Sequence, residues 1–72
     1  MANEHSIIWV DQPQTHRGWP VFREEVFRGA LTEALDYAVS LATGASFVAG
    51  QVLAQDGRIL ATVAREGRLR HD

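Results

Sequence analysis

One stretch, Leu31 to Ala45, constrains this chain more than any other. At about 100° per residue, Leu31, Ala34, Leu35, Ala38, Leu41, Ala42 and Ala45 fall on one stripe. Thr32, Glu33, Asp36, Ser40 and Thr43 fall opposite, with Tyr37 and Val39 at the borders. The pattern predicts an amphipathic helix lying on a core. Glu33 and Asp36 sit near its start, where the helix dipole favours carboxylates. Gly44 suits a left-handed C-terminal cap. Leucine alternates with alanine along the stripe, and alanine lets a neighbouring backbone come close. The helix is therefore expected to lie tightly on a sheet. The same stripe could dock in a partner's groove, but a helix accompanied by several candidate strands is better read as core.

Ser6 to Val10 reads as the first strand, being short, β-branched and aromatic. Asp11 to Gly18 is a polar loop punctuated by Pro13 and Gly18, a place where function can sit. Trp19 to Glu25 is read as a second strand pairing antiparallel with the first. Trp19, Val21 and Phe22 then pack, and Pro20 lies at an edge or at the strand start. A helix beginning at Pro20 is the competing reading. Val26 to Gly29 is expected to cross into the helix. After the helix, Phe47–Gln55 and Arg58–Arg65 flank Asp56-Gly57, a signal for a two-residue type I′ turn. That register pairs Ala54 with Ile59, Val52 with Ala61 and Gly50 with Val63 on one face. It pairs Leu53 with Leu60 and Gln51 with Thr62 on the other. The face with Val48, Val52, Ile59 and Val63 should receive the helix. The face with Leu53, Leu60, Gln51 and Thr62 is a candidate oligomer contact. Gly50 is unusual mid-strand and marks a bulge or a close backbone approach. Glu66-Gly67 begins another turn, and residues 1–5 and 68–72 read as polar tails, with Leu69 extending the sheet briefly. The expected fold is a single α+β domain: a small antiparallel sheet (β-β-α-β-β) with one amphipathic helix on one face.

The residues Gly18-Trp19, Val21, Glu33-Ala34, Tyr37-Ala38, Leu41-Ala42, Gly44 and Asp56-Gly57-Arg58 carry a resemblance. In this order of strand, Gly-Trp strand, alanine-rich helix and Asp-Gly-Arg hairpin, the chain resembles a family of short bacterial proteins catalogued as a domain of unknown function. The likeness spans most of the chain and implies the same element order. Its motifs are turn and packing residues, so it carries over no activity, cofactor or site residue. Pro20 and the long apolar second hairpin depart from it.

With 72 residues and no cysteine, the chain has neither disulfides nor thiolate metal sites to support a small core. A homodimer or higher oligomer is expected. The net charge of −2 disfavours whole-molecule attraction to nucleic acid or to anionic membrane. Met1 to His5 lacks a basic, apolar leader, and no run approaches the roughly 20 apolar residues of a membrane span. The expected location is the cytoplasm. Ser6, Ser40 and Ser46 lie in no Gly-x-Ser-x-Gly elbow, and without lysine there is no phosphate-binding Gly-x-x-x-x-Gly-Lys loop. Asp11 and His16 could share a metal only with a third ligand from elsewhere, so no cofactor is expected. Glu24 and Glu25, neighbours in a strand, point to opposite faces and make a poor acid–base couple.

These observations lead to a non-enzymatic protein acting through self-association and protein contacts. A second reading groups Trp9, Arg17, Trp19, Phe22, Arg23 and Arg28 as a surface on which bases stack while arginines meet phosphates. A third places the tryptophans in a ligand pocket between subunits.

Overall fold

Ile7, Val52 and Ala61 lie side by side on three neighbouring strands, and each is buried. That row is the centre of the fold. The computed structural model describes residues 3–12 and 19–71. Among them, β1 (Glu4–Asp11), β2 (Val21–Arg28), β3 (Phe47–Leu53), β4 (Ile59–Ala64) and β5 (Arg68–His71) form one antiparallel sheet. Their order across the sheet is β2-β1-β3-β4-β5. A single helix, α1 (Leu31–Ala42), follows β2 in the chain and packs on one face, making an α+β fold.

The helix buries Ala34, Leu35, Ala38 and Ala42, the centre of the stripe its spacing predicted, with Tyr37, Val39 and Leu41 half-buried beside them. Three of those four residues are alanine, so little side chain separates the helix from Ile7, Phe47, Val52, Ala61 and Val63 on the sheet. Half of a capping box starts it: the Ala30 N–H donates to the Glu33 carboxylate at 3.3 Å. The end differs from expectation. The helix stops at Ala42, and the cap is Thr43 in right-handed geometry (φ −78°, ψ −10°). Gly44 does not adopt positive φ. Its N–H instead donates to the Leu41 carbonyl at 3.1 Å, closing the last turn.

Further expectations are corrected. Val26 to Arg28 belong to β2 rather than to a crossing, while Trp19 and Pro20 precede it. Trp19 and Phe22 do not pack; they are 81% and 82% exposed. The Asp56-Gly57 turn is not type I′, because Gly57 has positive φ (91°) and Asp56 does not. The Gly57 N–H donates to the Ala54 carbonyl at 2.9 Å and the Ala54 N–H to that of Arg58 at 2.8 Å. This is a three-residue loop with its glycine at the left-handed position. The Asp56 carboxylate accepts the Arg58 N–H at 3.0 Å and so holds the turn from within.

That longer loop shifts the register, so Leu53 pairs with Ile59 and Leu60 is left without a register partner. Gln51–Thr62, Val52–Ala61 and Gly50–Val63 pair as the sequence predicted. A second irregularity, between Val10 and Asp11, sets Phe47 opposite Asp11 and gives Phe47 the buried place expected of Val48. Finally, residues 68–71 are no tail. Glu66 (φ 67°) and Gly67 (φ 77°) turn the chain within the 3-10 segment Arg65–Gly67, and β5 pairs along β4 as a fifth strand. Glu4 and His5 likewise belong to β1.

Candidate interaction surface on the uncovered sheet face

Side chains alternate along a strand, and directly opposed residues share a face. The register therefore sorts the sheet into two surfaces. Trp9, Arg23, Gly50, Val63 and Leu69 form a row beneath the helix side, as do Glu25, Ile7, Val52 and Ala61. The other surface carries the row Phe22, Val10, Ala49, Ala64, Arg68, then Glu24, Ile8, Gln51, Thr62, Arg70, then Val26, Ser6 and Leu53. No helix among the described residues lies over it. Its character runs from mixed at β2, where Phe22 and Val26 alternate with Glu24 and Arg28, through largely apolar at β1 to cationic at β5. A shallow groove of about 470 Å³ crosses its apolar part, lined by Ile8, Val10, Phe22, Ala49, Gln51 and Thr62 among others.

The sequence-derived oligomer set lies on this uncovered surface. Gln51 and Thr62 are directly opposed, and Leu53 and Leu60 are half-buried beside them. The aromatic and arginine set is not gathered in one place. Trp9 faces the helix side, packs against the core and donates its Nε1–H to Asp11 at 3.3 Å. Arg23, on the same side, donates to the same carboxylate at 2.7 Å. Phe22 and Arg28 lie on the other surface, where Arg28 approaches Glu4 at 3.5 Å. Trp19 is exposed ahead of β2. Arg17 lies outside the described residues, as does His16 of the Asp11–His16 pair. Arg23 thus already meets a carboxylate closely, Arg28 only approaches one at 3.5 Å, and the aromatic rings point to opposite sides of the sheet.

Glu24 and Glu25 separate across the sheet. Glu25 accepts the Tyr37 hydroxyl at 2.6 Å, and Tyr37 also stacks on Phe27 with ring centroids 5.5 Å apart. That hydrogen bond, then burial, then the Glu25 charge raise the Tyr37 pKa above its ordinary 10.0. Glu24 has neither a hydrogen-bond nor an ion-pair partner among the described residues. His5 holds its Nδ1 buried on the helix side, also without a partner there. No three His, Asp or Glu side chains among the described residues converge as metal ligands. No helix there is long and apolar enough to cross a membrane.

Sequence reasoning named Phe22 and Arg28 as surface residues but not Glu24 and Val26, which share the uncovered face of β2 with them. The signal for that face was the strand's own text, Val-Phe-Arg-Glu-Glu-Val-Phe-Arg, in which two Val-Phe pairs bracket Arg-Glu-Glu. Comparison with models of protein families, with curated proteins and with solved structures finds no match to this chain.

Proposed function

We propose that this chain is a non-catalytic interaction protein that works as a self-associated assembly, with β2 and the adjoining uncovered face as its contact region. One observation carries the reading: Phe22 is 82% exposed and Val26 56% exposed on the same face of β2. Single exposed apolar residues are ordinary. Two on one strand face, continuous with an apolar groove, form a patch of the kind that marks a contact site. The thin core points the same way. Ala34, Ala38, Ala42 and Ala61 fill four of the nine buried apolar positions among the described residues. A chain this small hides only about 60% of its unfolded surface, and association adds burial that the fold lacks.

Sedimentation equilibrium across micromolar concentrations tests the proposal. The expected result is a mass above that of one chain, shifted toward the single chain by Phe22→Ser with unchanged far-UV circular dichroism. A wild-type protein that sediments as one chain at tens of micromolar overturns it.

A further inference from the structure

We infer that two copies of this chain join edge to edge through β2, antiparallel, with Val26 meeting Val26 on the two-fold axis and Glu24 meeting Arg28 of the other copy. The inference rests on the self-association proposed above and names its contact.

The backbone sets the first condition. The Gly29 N–H donates to the Asn3 carbonyl at 2.9 Å, in line with the Glu4–Arg28 register. In an antiparallel ladder, hydrogen-bonded pairs alternate with non-hydrogen-bonded ones. Val21, Arg23, Glu25 and Phe27 therefore turn their peptide groups toward β1. Phe22, Glu24, Val26 and Arg28 turn theirs outward, away from the sheet. Among the described residues β2 is an end strand, eight residues long, and no other strand pairs with these outward groups, which form a template for one. The opposite end, β5, has four residues and carries Arg68 and Arg70. Short, charged strands are poor templates.

Charge sets the second condition. Strand pairing through the outward groups must match even-numbered residues with even-numbered residues. Of these registers, the one centred on Val26 sets Glu24 against Arg28 of the other copy, twice by symmetry, and opposes no like charges. Moving the centre to Glu25 or to Glu24 sets a carboxylate against its own copy, and moving it to Arg23 does the same with guanidinium groups. Like charges directly opposed are unfavourable. Moving it to Phe27 removes both ion pairs. The groups concerned are available: Glu24 is unpartnered among the described residues, and Arg28 reaches Glu4 only at 3.5 Å, with its side chain 78% exposed. The pairing also brings the exposed Val26 side chains together. Such a contact is isologous, so it closes at two copies. A strand that only needed protection from pairing would carry charges without Phe22 and Val26 between them.

A charge-exchange experiment tests this without relying on loss alone. Glu24→Arg leaves two arginines facing two arginines, and Arg28→Glu leaves carboxylates facing carboxylates. Each variant alone should dimerise about tenfold or more weakly than wild type. A one-to-one mixture should recover a dimer containing one copy of each, read by native mass spectrometry and sedimentation velocity. Circular dichroism checks that each variant folds, and the recovered heterodimer shows it independently. A wild-type protein without any association defeats both this inference and the reading beneath it. A wild-type dimer that both variants retain defeats the β2 register alone. So does a mixture that stays unpaired, or a wild-type protein that grows into open-ended chains.

Discussion

At Gly50 the sheet tolerates no side chain. A Cβ placed there would lie 2.8 Å from the Ile8 carbonyl oxygen, 2.9 Å from the Trp9 Cβ and 3.2 Å from the Phe47 ring. Two of these three neighbours belong to β1, whose backbone cannot retreat without breaking the ladder. Gly50→Ala is therefore an overpacking substitution, expected to cost about 1–3 kcal/mol. Urea unfolding followed by tryptophan fluorescence measures it, and an unchanged midpoint would mean that Trp9 and Phe47 have room to move aside. The oddity of a mid-strand glycine was visible in the sequence. What approaches it was not, because that depends on the register of β1 against β3 and on the irregularity that turns Phe47 inward. Trp9 and Phe22 illustrate the same dependence. Both are aromatic and sit on paired strands, yet strand parity sends one toward the helix and the other to the uncovered face.

At the scale of elements, the helix and the β3–β4 pair were legible because each has a solvated side and a buried side. The stripe of α1 and the pairs Val52–Ala61 and Gly50–Val63 follow directly from that contrast. β2 lacks it. Seven of its eight residues are exposed, so its apolar positions do not alternate with polar ones as in a half-buried strand. β5 is obscured differently, as a short charged strand in which Leu69 alone is half-buried. What fastens β2 to the helix is the reach of Tyr37 to Glu25 and Phe27. Its raised pKa has a consequence for stability. Between its unfolded and folded pKa values, the folded protein keeps the phenolic proton while the unfolded chain releases it. Folding then binds a proton, so this contribution is complete below about pH 10 and is lost as pH rises through the folded value. Urea midpoints of the wild type should fall more steeply above pH 10 than those of Tyr37→Phe. At neutral pH that variant should be less stable by about 0.5–1 kcal/mol, the loss of one exposed hydrogen bond. Parallel alkaline slopes for the two proteins would refute the linkage.

For the whole molecule, the uncovered face allows two modes of assembly, and they differ in what they cover. Two copies stacked face to face would bury Leu53, Leu60, Gln51 and Thr62, the set that the sequence marks as an oligomer contact. Edge pairing through β2 leaves those residues outside, since β3 and β4 lie two and three positions away from β2 in the sheet. The distribution of exposure favours the edge, because Phe22 and Val26 are more exposed than the half-buried Leu53 and Leu60. Association and folding are linked in either case, because a partner that binds the native chain stabilises it by mass action. The melting temperature should rise by a few degrees for a tenfold increase in protein concentration. The two modes separate in their response to Leu60→Glu. Edge pairing predicts that this variant keeps both the assembled mass and the concentration dependence, whereas Arg28→Glu loses them. Stacked faces predict the reverse, because Leu60→Glu would bury unpaired carboxylates at the contact while Arg28 stayed at its margin. Calorimetric scans of the two variants at two concentrations therefore assign the contact, and a Leu60→Glu protein that melts independently of concentration would move it from the strand edge to the open face.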